Sequence, residues 1–149
     1  MRVLIQRVSE ASVTIDKIVH GSIQQGMVLL IGIATDDTEE DAAWLIGKIT
    51  KLRIFNDSEG KMNLSMQDIQ GEFLAISQFT LHASTKKGNR PGFTEAARPE
   101  IAVPLYEYFL KELKKSQLKV EAGVFGADMK VQLINDGPTT IWIDSKNKE

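Results

Sequence analysis

The run "MVLLIGIA", residues 27–34, offers no polar side chain to turn toward water. A strand with one solvated face alternates polar and apolar residues. This one does not, so it predicts a strand central in a sheet and covered on both sides. A strand of that kind requires packing layers around it, and helical periodicity elsewhere in the chain supplies one. From Thr38 onward, Ala42, Leu45, Ile46 and Ile49 recur at helical spacing. Glu39, Glu40 and Asp41 occupy the first turn and Lys48, Lys51 and Arg53 the end, an order that suits the helix dipole. Thr38 with Asp41 forms a capping-box pattern. A second helix places Tyr106, Phe109, Leu110 and Leu113 on one face, with Pro99 and Pro104 near its start, where proline is tolerated.

The remaining segments read mostly as strands. "MRVLIQRV" opens the chain, "EFLAISQFTL" at 72–81 is a buried strand, and "LKVEAGVFG", "MKVQLIN" and "TTIWID" make the end strand-rich. Gly21 and Gly26 punctuate the segment after the first strand, "FNDSEGKMN" is turn chemistry, and the polar tail "SKNKE" is expected to fray. In this order the elements predict an α+β fold: a strongly curved, barrel-like sheet with two packed helices. A chain of 149 residues makes one domain, 1–149.

Composition narrows the function. With 42% hydrophobic and 26% charged residues the chain falls in the soluble globular class. It has no cysteine, so disulfide frameworks and zinc ribbons are excluded, and a cytoplasmic location is the expectation. The longest apolar run is far shorter than the ~20 residues of a membrane helix. A net charge of −2 argues against indiscriminate polyanion binding, so any nucleic-acid contact must be focused. His20 and His82 lie far apart in sequence, and neither a metal site nor a cofactor fingerprint is visible.

Three segments carry candidate chemistry. "SQFTL", 77–81, ends the buried strand and opens onto a glycine-rich loop, the place where sites are built. Read as plain strand, it puts Ser77 and Phe79 on one face and Gln78, Thr80 and His82 on the other. Read as a site, its unpaired backbone N–H groups converge on an oxyanion while the Ser77 or Thr80 hydroxyl orients substrate. Thr80 as nucleophile with His82 as base is a further option, lacking a third member. "TKKGNRPGF" supplies focused charge: between His82 and Arg98, Lys86, Lys87, Arg90 and Arg98 face one acid, Glu95. It is either a solvated loop or a phosphate contact. "LINDGPTTIWID", 133–144, sets Gly137 and Pro138 between two strand-like stretches, although Asp-Gly alone would make a hairpin turn.

In combination, "SQFTL", "KGNRPGF" at 87–93 and "NDGPTT" at 135–140, in a chain opening "MRVLIQRVSEASVTI", closely resemble the D-aminoacyl-tRNA deacylases. The likeness covers essentially the whole chain. It departs at Gly92, where serine is more usual, and at Thr139, where valine is. The resemblance implies a homodimer with its active site at the subunit interface. It implies a cis Gly137-Pro138 dipeptide inserted into the partner's pocket, where its carbonyls meet the substrate ammonium. The implied substrate is a D-aminoacyl ester, or a mischarged glycyl ester, on the 3′-terminal adenosine of tRNA. The implied catalytic segment is Ser77, Gln78, Phe79 and Thr80, with backbone N–H groups of Phe79 and Thr80 holding the oxyanion and the ribose 2′-hydroxyl assisting water. Met129 matches a pocket-lining position and reads equally as core. Lys86, Lys87 and Arg90 would touch tRNA. Two alternatives stand beside this reading: a tRNA-binding module without catalysis, and a small-ester or amide hydrolase using Thr80.

Overall fold

The computed structural model describes residues 1–148. Its central strands are β3 (Gly26–Gly32) and β6 (Glu72–Ser77), which run parallel, and both are apolar on two faces. From β3, Met27, Leu29 and Ile31 point into a core shared with the helices, whereas Val28 enters a second core inside the curved sheet. From β6, Phe73 and Ala75 face the first core and Leu74 and Ile76 the second. The uninterrupted apolar run is explained by these two cores. Gly26 is required where the two strands begin, because a Cβ there would fall 1.8 Å from the Glu72 carbonyl oxygen.

The first strand, β1 (Arg2–Ile15), is longer than "MRVLIQRV" suggests. It pairs antiparallel with β3 through Val8, then with β2 (Ile18–Ile23), a strand that the glycine punctuation around Gly21 and Gly26 concealed. Irregular pairing near Val8 switches its inward face: Val3 and Ile5 belong to the helix-side core, Val8, Ala11 and Val13 to the interior of the sheet. β7 (Val120–Ala122), all that is extended of "LKVEAGVFG", lies parallel to β6. The gap between β7 and β2 is spanned by side chains. Lys119 Nζ donates to the Ser22 carbonyl at 2.9 Å, and Glu72 accepts from the Gln24 N–H at 2.8 Å. The sheet is thus a nearly closed barrel.

The two long helices lie on its outside. α1 (Glu39–Ile49) starts at Thr38 with the anticipated capping box, and α3 (Pro99–Lys114) carries Pro99 in its first turn and Pro104 one turn later. Between them come a short hairpin, β4 (Phe55–Asn56) with β5 (Met62–Leu64), and a one-turn helix, α2 (Met66–Ile69).

The chain end departs most from expectation. "MKVQLIN" and "TTIWID" are not two arms of a hairpin but one strand, β8 (Lys130–Asp144), antiparallel to β1 along its length. Gln6 pairs with Thr140 and Val8 with Asn135, so residues 136–139 bulge out opposite the single Arg7. Gly137 and Pro138 sit in that bulge, exposed, and their peptide bond is cis. The tail does not simply fray: Ser145 is buried and its hydroxyl accepts from the Met1 ammonium at 2.8 Å, while Lys146 pairs with Asp41 at 3.2 Å. Asp37, also buried, is the ammonium's ion-pair partner.

Candidate active site

β6 stops at Ser77. The strand expected to run through residue 81 instead breaks into a 3-10 turn over Phe79–His82. The cause lies next door: Gln78 N–H still donates to the Ile31 carbonyl at 2.7 Å, and β3 then ends at Gly32, leaving nothing for a longer β6 to pair with. The first N–H groups of any helix lack internal partners. Here these are Phe79 and Thr80, both exposed residues whose backbone N–H groups make no hydrogen bond among the described residues.

Beside this turn is a cavity of about 270 Å³. Ile31, Ile33, Ile76 and Ala102 give it an apolar floor; Ser77, Gln78 and Phe79 stand along one wall and Phe125, Ala127 and Met129 along another. Met129 also packs against the barrel interior. Behind the floor, Tyr106 donates its hydroxyl to the Ala75 carbonyl at 3.0 Å, and burial pushes the phenol well above its ordinary value, which keeps it neutral.

The turn separates groups that strand geometry would align. His82 is buried, its ring hydrogen-bonded to the Gly32 backbone, whereas Thr80 is exposed and its hydroxyl accepts from the Gln78 amide. Burial lowers the imidazole below its ordinary value of 6.5, with the Gly32 bond opposing. A Thr80–His82 pair is therefore not assembled. Nor does Thr80 line the cavity.

The basic loop is anchored to the site at its ends. Ser84 and Gly92 exchange backbone hydrogen bonds at 2.8 and 2.9 Å, and Phe93 meets Phe79 edge to face with centroids 5.0 Å apart. Lys86, Lys87 and Arg90 project into solvent on the loop between, outside the cavity lining. A Cβ on Gly92 would approach only the Ser84 carbonyl, at 3.9 Å, so the serine usual in the resembled family fits here too.

Gly137 and Pro138 do not line this chain's own cavity. Their bulge is held from beneath by Arg7, a residue that no sequence motif singles out. Arg7 is only 6% exposed, and its guanidinium donates to the Asp136 carbonyl at 2.7 Å and the Ile54 carbonyl at 2.6 Å. A signal was nevertheless present: Val3, Ile5 and Arg7 share one face of β1, and a cation on a buried face needs acceptors. Asn135 ties the bulge from the side, accepting from the Thr139 N–H at 2.7 Å.

Fold and site together define a class: an α+β protein with a barrel-like sheet, whose apolar pocket opens beside free backbone donors at the end of a parallel strand. The sequence profile described as D-Tyr-tRNA(Tyr) deacylase matches residues 4–144, and the chain belongs to that family. It is 57% identical to a D-aminoacyl-tRNA deacylase of Flavobacterium johnsoniae and 60% identical to one of Bacteroides fragilis, with 100% of each chain covered. Among solved structures it is similar to the c-Myc DNA unwinding element binding protein, with TM-score 0.91 and 40% identity over 97% of this chain and 98% of that one.

Proposed function

We propose that the protein hydrolyses the ester bond of D-aminoacyl-tRNA, releasing amino acid and tRNA, and so removes wrong-handed residues before translation uses them. The observation that carries this reading is the pair of unpartnered N–H groups at Phe79 and Thr80 beside an apolar pocket, in a chain of this family. An aminoacyl ester is already activated, and two fixed donors aimed at the developing oxyanion supply most of the stabilisation its hydrolysis needs. The neighbouring ribose 2′-hydroxyl orients the attacking water. Ser77 and Gln78 line the pocket, and Thr80, held by Gln78, positions rather than attacks. The whole chain acts as one deacylase domain, in the cytoplasm where charged tRNA is used.

The second half of the site comes from a second copy. Gly137 and Pro138 are exposed on β8, a strand paired only with β1 among the described residues, and neither has a register partner on that strand. Exposed Val131, Ile134 and Trp142 lie along the same strand. An edge strand of this length and apolarity is a pairing surface. In a twofold dimer the Gly137 and Pro138 carbonyls enter the partner's pocket and hold the substrate ammonium. With ammonium and ester carbonyl fixed, a D side chain points to open space and an L side chain into rigid backbone. Glycine fits either way. Lys86, Lys87 and Arg90 contact the tRNA backbone near the 3′-terminal adenosine.

A deacylation assay on D-Tyr, L-Tyr and Gly esters of tRNA tests the proposal. Hydrolysis of the D-Tyr and Gly esters with the L-Tyr ester spared is expected. Tight tRNA binding with no hydrolysis would instead favour a binding module. Equal rates on free amino-acid esters would favour a small-ester hydrolase.

A further inference from the structure

On the solvent face of α1, away from the candidate active site, is a second concavity, of about 580 Å³, lined by Ala43, Trp44, Gly47, Lys48, Lys51, Leu52 and Arg53. The inward face of the helix is the apolar set Ala42, Leu45, Ile46 and Ile49. Trp44, Gly47, Lys48 and Lys51 follow at helical spacing on the opposite side. Three properties of this face are not explained by the fold.

Glycine is among the poorest helix formers, and its use inside a helix is ordinarily forced by a close neighbour. Gly47 has none: a Cβ built there meets nothing within 4 Å. The consequence of having glycine there is an open floor between Trp44, Lys48 and Lys51. Next, Trp44 is only half-buried, and two ammonium groups lie over its ring, Lys148 Nζ at 4.9 Å and Lys48 Nζ at 5.6 Å from the centroid. Last, Lys48, Lys51, Arg53 and Lys148 belong to no ion pair among the described residues, and no carboxylate lines the groove. In a chain whose net charge is −2, two ammonium groups at the ring and a third, Lys51, along the groove gather positive charge on one face, while Arg53 at its end is tied to Asn63.

We infer that this groove binds the phosphodiester backbone of the tRNA substrate, at a point remote from the ester, with Trp44 offering a ring surface to a nucleotide and the cations neutralising phosphates. The inference rests on the tRNA-directed reading of the active site. Cations track a nucleic-acid backbone while an aromatic face accepts any base, which gives affinity without sequence preference. An acidic protein segment would be met by the lysines but would leave both the ring and the open floor at Gly47 without a role.

The test is binding of uncharged tRNA to the full chain across a salt series, read beside deacylation of D-Tyr-tRNA. Each phosphate contact contributes about 0.7 to 0.9 to the logarithmic salt slope. Replacing Lys48, Lys51 and Lys148 together by Gln is expected to lower the slope by about 2 to 3, with the kinetic loss falling on KM and not on kcat. Gly47→Glu, whose Cβ meets no neighbour and whose carboxylate acidifies the floor, is expected to weaken binding, and Gly47→Ala to preserve it. A control triple of exposed lysines elsewhere, Lys17, Lys61 and Lys111 to Gln, makes the same change in net charge and is expected to alter the slope far less. An unchanged slope in the groove triple, or an equal fall in the control triple, overturns the inference. Because binding is read with uncharged tRNA, failure of the deacylase reading would appear separately, as absent hydrolysis with the groove's salt slope intact.

Discussion

The end of β6 and the bulge in β8 make opposite use of the backbone. At the end of β6, N–H donors are left free because two neighbouring strands stop together, and a largely apolar pocket lies beside them. In the β8 bulge, Gly137 and Pro138 stand exposed because four residues oppose one, and a buried arginine from β1 anchors the bulge through the Asp136 carbonyl. One region is set by where its pairing partner β3 ends. The other depends on a contact between residues 7 and 136, far apart in sequence. Substitutions should therefore hurt the first region only when they touch its N–H groups, and the second whenever they touch its support.

The sharpest separation comes at residue 79. Phe79→Pro removes one donor at the first position of a helical turn, where the proline ring is tolerated, and deacylation is expected to fall by about 10²- to 10³-fold. Thr80→Ala keeps its N–H, and kcat is expected to drop by less than about tenfold. An acyl-enzyme trapped on Thr80 would contradict this. In the bulge, Arg7→Met leaves the Asp136 and Ile54 carbonyls without their donor, and urea denaturation should register a loss of roughly 3 kcal/mol. Gly137→Ala acts on geometry. Gly137 has φ +146°, and an added Cβ would lie 2.9 Å from the Thr139 nitrogen, so the bulge must shift. A displacement of ~1 Å costs about a hundredfold in rate, expected in kcat/KM for D-Tyr-tRNA. The smallest effect is of opposite sign. Thr139 is buried with its hydroxyl unpartnered, so Thr139→Val should raise stability by about 1 kcal/mol in the same denaturation experiment.

Both regions differ from the elements that local pattern makes readable. β3 and α1 announce themselves through local pattern, an unbroken apolar run and a capping box with helical spacing, and both are found where expected. The pocket-wall residues Ser77, Gln78, Phe79 and Met129 are legible through family resemblance, and the structure brings them to one cavity. What stays hidden is everything set by distant pairing. The break after Ser77 follows from where β3 ends, and the unbroken course of β8 from its register on β1; neither is encoded in its own segment. A Gly-Pro between strand-like stretches looks like a turn until a partner strand is found that continues past it. For Arg7 the buried face is readable but the partners are not: its acceptors belong to residues 54, 56 and 136.

The central claim is that the free donors of one chain and the bulge of another form one site. Mixed dimers test it most directly. Phe79→Pro and Gly137→Ala chains, co-expressed with different tags and purified as the mixed species, are each expected to be nearly inactive alone. In the mixed dimer, one pocket with intact donors faces an intact bulge, while the other site carries both defects. With one of two symmetry-related sites restored, deacylation of D-Tyr-tRNA should return to about half the wild-type rate per dimer. If donors and bulge of the same chain made the site, both sites of the mixed dimer would stay broken. A mixed species no more active than its two parents, or the absence of any dimer to purify, would contradict the account.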